Sequence, residues 1–278
     1  MRALLRRPSP LPGFGPCLGL ALAALGIVVL VPLAALLGRG IAMGPEALWD
    51  HLARPRVLAA LWLSFRAAIG AAAISGMLGL LLAWVLARYR FPGRRLLDAA
   101  MDLPFALPTA VAGIALTALY APSGAFGRVL EPLGLKVAYA EAGIWLALVF
   151  VGLPFVVRTL QPVIEDLDPA VEEASASLGA SRGRTFARVV LPVLMPALST
   201  GCVLALARAA GEYGSVIFIA GNLPKLTEIA PLLIVIRLEE FDYDAAAAIG
   251  LAMLAIALAL IFAINAAQAW SRRRTGHA

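Results

Sequence analysis

Charge is what this sequence has least of. Only 14% of its 278 residues are Asp, Glu, Lys or Arg, and the mean hydropathy is +0.89. That composition excludes an ordinary soluble domain and leaves a polytopic membrane protein. The two lysines are Lys136 and Lys225, and neither stands in a Gly-Lys-Ser/Thr context. A phosphate-cradling P-loop is therefore excluded, because its lysine must reach the terminal phosphates. If ATP powers this protein, another polypeptide hydrolyses it. His51 and His277 are the only histidines, too few for histidine-based catalysis or metal ligation. Cys17 and Cys202 both lie in apolar segments, which argues against a disulfide framework or a metal site. No catalytic residue, metal ligand or cofactor is assigned. The net charge of +6 does not point to nucleic acid, since the arginines cluster beside apolar runs.

What is present is a series of those runs. Cys17 to Leu37 carries no charge and is long enough to span, given about 20 residues per crossing. A cleaved signal peptide has a shorter apolar region, so this segment is read as an uncleaved first helix. Further runs at about 58–87, 105–121, 142–160, 197–220 and 245–270 make six spans. The third and fourth are short and carry Pro108 and Pro154, tolerable where neighbouring helices satisfy freed backbone groups. The fold class is all-α, a helix bundle in one domain over 1–278, with an extra N-terminal helix at about 17–37 and a core at about 55–270. No internal repeat or low-complexity segment marks a second domain.

Basic residues set the orientation. One side collects Arg2, Arg6, Arg7, Arg88, Arg90, Arg94, Arg95, Arg158, Arg182, Arg184, Arg188 and Arg272 to Arg274. The other holds Arg39, Arg54, Arg56, Arg128, Lys136, Lys225 and Arg237. This two-to-one excess predicts that both termini are cytoplasmic.

The largest polar island, Glu172 to Pro192, falls on the same side. Asp168 can cap a helix that begins at Pro169, with Glu172 and Glu173 near its positive end. Val171, Ala174 and Leu178 form one apolar edge. Gly179 ends that helix, Ser181 can cap a second, and Leu191-Pro192 stops it. A helix–turn–helix too small for its own core suggests a docking surface. At the other side, 221–244 carries five acidic residues, and Ile229, Leu232, Leu233 and Ile236 keep helical spacing behind Thr227 as a cap. That pattern predicts an amphipathic helix over the outer mouth of the bundle, available to an extracytoplasmic partner.

Glu173-Ala174-Ser175, Gly179 and Val189-Val190-Leu191-Pro192 also resemble, in residue type and spacing, the EAA loop of ABC-importer permeases. Ser175 replaces an Ala and Val189 an Ile. Asp102 to Gly113, Thr117 to Tyr120 and Ala210 to Asn222 resemble the sulfate/thiosulfate branch, and Glu212-Tyr213-Gly214-Ser215 its T-type subunit. The resemblance covers roughly 55–270 and implies a type I importer permease in the bacterial inner membrane. It further implies a second homologous permease, two ATP-binding subunits that use ATP, and an extracytoplasmic sulfate-binding protein. Glu172, Glu173, Ala174, Ser175, Gly179, Leu191 and Pro192 would then form the ATPase-coupling loop within about 168–192. Molybdate or tungstate remain alternative cargoes, and a stand-alone anion carrier an alternative mode.

Polar residues within spans complete the candidate set. An intramembrane charge costs about 2.5–3.5 kcal/mol on insertion scales, so it usually faces a cavity or a partner. Arg208 and Glu212, four apart, can pair and line a translocation pathway or serve structure alone; Tyr213, Ser215 and Thr109 join the pathway candidates. Arg66 can line the pathway or snorkel to the outer interface. Small residues from Ala67 to Gly79 suit close helix packing. Gly179-Ala180-Ser181-Arg182-Gly183 matches G-x-S-x-G, but a hydrolase needs a strand–turn–helix and a histidine base, and neither is expected here.

Overall fold

A computed structural model describes residues 14–275, all helix and turn with no strand among them. The first three arginines and His277 lie outside the described residues. α1 (Phe14–Met43) is longer than the predicted run, and a π turn at Gly26–Leu30 interrupts it. α2 (Pro45–Leu52) is a short segment leading to α3 (Pro55–Arg88). Both start with proline, whose fixed φ and missing N–H suit the first helical position. α4 (Arg94–Ala106) and α5 (Thr109–Tyr120) meet at a bend of 118°. α6 (Gly127–Leu130) and α7 (Glu141–Glu165) precede α8 (Pro169–Ser177) and α9 (Arg182–Ala210). α10 (Val216–Ile219), α11 (Ala230–Glu239) and α12 (Tyr243–Thr275) complete the chain.

Five of these helices are long and apolar enough to cross a membrane, and α4 with α5 makes a sixth span if counted together. The predicted continuous third span is thus corrected to a broken one. Proline disfavours helix at the residue before it, and Leu107 is extended, with ψ 134°. The fifth span is corrected as well. It begins at Arg182 and ends at Ala210, so 211–220 is a turn and a short helix rather than its last ten residues.

α3, α7 and α9 interlock to form the core. Ala67, Ala68, Ala71, Ala72, Ser75, Gly76 and Gly79 are all buried on α3. Lipid tails are as apolar as side chains, so helix association relies on close approach and van der Waals contact. A methyl group at Gly70 would lie 1.9 Å from the Trp145 ring, and one at Gly79 would lie 2.6 Å from Val156. The expected packing role of this stretch is what the structure shows. α1 and α2 stand outside this core, packed against α12.

Candidate functional site

The polar island folds as a capped helix followed by a sharp turn. The Ala170 N–H donates to Asp168 Oδ1 at 2.9 Å, with Pro169 in the first helical position. Gly179 ends α8 with φ +81°, a left-handed conformation that favours glycine. Its N–H and that of Ala180 donate to the carbonyls of Ala176 and Ser175. Ser181 occupies the next N-cap position but makes no side-chain capping bond. The expected stop at Leu191-Pro192 is overturned. Phe186–Val190 forms a π turn in which the Leu191 N–H donates to Phe186, five residues back. That turn shifts the hydrogen-bond register, so the proline, which lacks an N–H, is accommodated and the helix continues into the span.

Two contacts tie α8 to the bundle. Arg88 Nη2 donates to Glu172 Oε1 at 2.8 Å, and its guanidinium lies over the Trp84 ring. The Ser175 and Thr185 hydroxyls are 2.9 Å apart. Glu173, Val171 and Ala174 are exposed, and Leu178 is 89% exposed. A groove of about 560 Å³ runs between α8 and the end of α3, lined by Trp84, Tyr89, Glu173, Arg182 and Phe186. The island therefore presents an apolar edge, a carboxylate and exposed arginines away from its own chain.

Arg208 closes α9, and Glu212 lies just beyond the helix end rather than on a continuous face. They pair all the same, Arg208 Nη1 to Glu212 Oε2 at 2.5 Å. Glu212 is 3% exposed, and its Oε1 accepts the Ser215 N–H and hydroxyl, each at 2.9 Å. This single carboxylate holds the turn that leads into α10. Gly214 sits against Thr109 and Gly113 against the Ser215 backbone, too close for any side chain at either glycine. The structure thereby brings Thr109, Glu212 and Ser215 together at the start of α5. Tyr213 is half-buried against the core.

Several partnerships have no local sequence signal. Arg158 Nε and Nη2 grip Asp102 at 2.8 and 2.7 Å, and Nη1 takes Asp98 at 2.6 Å, which fastens α4 to α7. Arg66 pairs with Glu141 at 2.7 Å, where Trp145 Nε1 also donates. Arg56 Nε and Nη2 fork onto the two oxygens of Glu228 at 2.8 and 2.6 Å. Helix α11 forms where its apolar spacing predicts, but Thr227 does not cap it. The Ser64 hydroxyl accepts the Ala230 N–H at 2.8 Å, and Thr227 Oγ1 accepts the Leu223 N–H instead. G-x-S-x-G joins two helices, α8 and α9, rather than a strand and a helix. No metal-binding cluster of His, Cys, Asp or Glu occurs among the described residues.

Comparison with known proteins matches residues 75–277 to the family described as binding-protein-dependent transport system inner membrane component. The sulfate transport system permease protein CysT of Salmonella typhimurium is 49% identical over 268 residues, 96% of this chain and 97% of its own. The protein of the same name from Escherichia coli strain K12 is 48% identical over the same shares. A probable sulfate transport system permease protein of Nephroselmis olivacea is 48% identical over 90% of this chain and 88% of its own. Among solved structures, a bacterial alginate ABC transporter in complex with an alginate pentasaccharide-bound periplasmic protein is similar in fold. Its TM-score is 0.76 at 18% identity, covering 94% of both chains.

Proposed function

This chain belongs to the family of binding-protein-dependent transport system inner membrane components, and on that premise we propose that it is the multi-pass permease subunit of an ATP-driven sulfate importer. The observation that carries the reading is near-half identity to sulfate permeases along almost the whole chain. The chain contributes the pathway, not the ATPase. A second homologous permease completes the pathway, two ATP-binding subunits use the ATP, and an extracytoplasmic protein delivers sulfate. Both termini and the 168–192 loop face the cytoplasm, as the arginine distribution favours.

The geometry supports a division of roles. The edge of Val171, Ala174 and Leu178 seats against an ATP-binding subunit, with Glu173 and the neighbouring arginines around it. Because the second half of the loop is continuous with the span ending at Ala210, a push on α8 is delivered along one helix to its last turn, which carries Arg208. There the Arg208 guanidinium, held by Glu212, offers a cation to the passing dianion, with the hydroxyls of Thr109 and Ser215 close by. Pairing within the membrane lowers the cost of that charge and keeps the anion from binding too tightly to leave.

The decisive experiment reconstitutes the complete complex in vesicles with its binding protein and follows radiolabelled sulfate. ATP-dependent uptake that requires the ATP-binding subunits is the expected result. Uptake by this chain alone without ATP would overturn the proposal. Gly179→Val then tests the loop. A β-branched residue in a left-handed conformation costs about 1–2 kcal/mol, and substrate-driven ATP hydrolysis should fall while the protein still inserts and assembles.

A further inference from the structure

The segment 90–106 carries chemistry that the transport reading leaves unused. α4 does not continue the direction of α5 but turns from it by 118°. A bend of 118° keeps the two from both running along the membrane normal, and α4, with Arg94, Arg95 and Asp98, is the half suited to the interface. Leu96, Ala99 and Leu103 are exposed along it, with Leu96 at 76%. They recur at helical spacing, so one edge of this segment is apolar and bare. Beside it Arg90, Phe91, Arg94, Arg95 and Asp98 line an open groove of about 510 Å³. Arg90 and Arg95 are exposed and have no ion pair among the described residues, and Arg94 reaches Glu165 only at 3.7 Å. The carboxylate in the groove, Asp98, is already committed to Arg158 at 2.6 Å.

An apolar edge along a surface-lying helix, next to guanidinium groups with a neutralised carboxylate, is the arrangement of a helix at the lipid interface. We propose that this groove binds the phosphate headgroup of an anionic phospholipid, with the acyl chains lying along Leu96 and Leu103. The bilayer is the phase that such a helix meets, and the charge of the groove selects its anionic component. Each arginine near the surface strengthens the attraction about fivefold, whereas a zwitterionic headgroup gains little. The site has a mechanical connection too. Arg158 fixes α4 to α7 through Asp98 and Asp102, and α7 packs against the core helices α3 and α9. Lipid bound at α4 therefore bears on the bundle without touching the pathway, whichever anion is carried.

The test uses the assembled transporter in phosphatidylcholine vesicles doped with a photoactivatable phosphatidylglycerol or the same label on phosphatidylcholine. Crosslinks are mapped by peptide. Labelling of 90–106 by the anionic probe should exceed that by the zwitterionic one, and Arg90→Gln with Arg94→Gln and Arg95→Gln should reduce that excess about fivefold or more. The corresponding triple lysine variant should retain most of it. Should the glutamine triple fail to insert, Arg95→Gln alone against Arg95→Lys makes the same comparison. Equal labelling by both probes, or an excess that survives loss of the arginines, would overturn the site. So would glutamine variants that shed the ATP-binding subunits while lipid labelling stays unchanged, since the groove would then be a protein interface.

Discussion

The two ends of the bundle use polar residues in opposite ways. At the end that carries α8, the ties to the bundle are two side-chain contacts, Glu172 with Arg88 and Ser175 with Thr185, and the apolar edge is left bare. At the opposite end, the segment before α11 is anchored by Glu228, 1% exposed and forked by Arg56. Ser64 receives the first N–H of α11, and Leu233 is fully buried. One end is a lightly tethered knob with a face for something else. The other is fastened into its own bundle through an ion pair whose carboxylate is buried. Such a pair contributes little net stability, but removing Arg56 is costly, since it leaves the buried Glu228 charge uncompensated.

That contrast can be broken most strongly at Glu228. Arg56→Met, which strands the buried Glu228 carboxylate, should destabilise the chain by about 3 kcal/mol, visible as a lower thermal midpoint in detergent, and Glu228→Ala in the same chain should recover part of the loss. No shift in midpoint would remove the idea that this end is anchored by its ion pair. At the knob the prediction has the opposite character. Leu178→Glu should leave the midpoint unchanged and weaken retention of the ATP-binding subunits about tenfold, the size of a modest hot spot. A variant that unfolds but keeps its partners would reverse the comparison. Smaller still, Glu172→Gln should cost about 0.5 kcal/mol, because its ion pair with Arg88 is part-exposed and screened. Its measurable sign is faster hydrogen exchange over α8. Ser175→Ala should be close to neutral in stability, at about 0.5 kcal/mol. A large loss there would mean that the knob is held more firmly than these contacts indicate.

The pathway turn lies between these extremes. Arg208 and Glu212 were legible in the sequence as two charges four residues apart in an apolar run. The further task of Glu212 was not. It gathers Ser215 and shapes the bend after α9, which depends on where α5 packs. Arg208→Ala with intact assembly should lower uptake, and unchanged uptake would exclude it from the pathway.

Hydrophobic run length, proline positions and residue spacing determined by themselves that the chain is a helical membrane bundle. They also located the capped helix from Pro169 and its end at Gly179. These are local properties: a span needs apolar residues in number, a cap needs an oxygen beside free N–H groups, and a left-handed turn needs glycine. The folded bundle decided the rest. Pro108 breaks its span whereas Pro192 and Pro196 lie in one continuous helix from Arg182 to Ala210, with a π turn just before Pro192. Arg56 finds Glu228 across 172 residues of sequence, and Arg158 finds Asp98 across 60. In a low-dielectric bundle an ionic group takes whatever partner the packing brings within about 3 Å, and no periodicity along the chain encodes that distance.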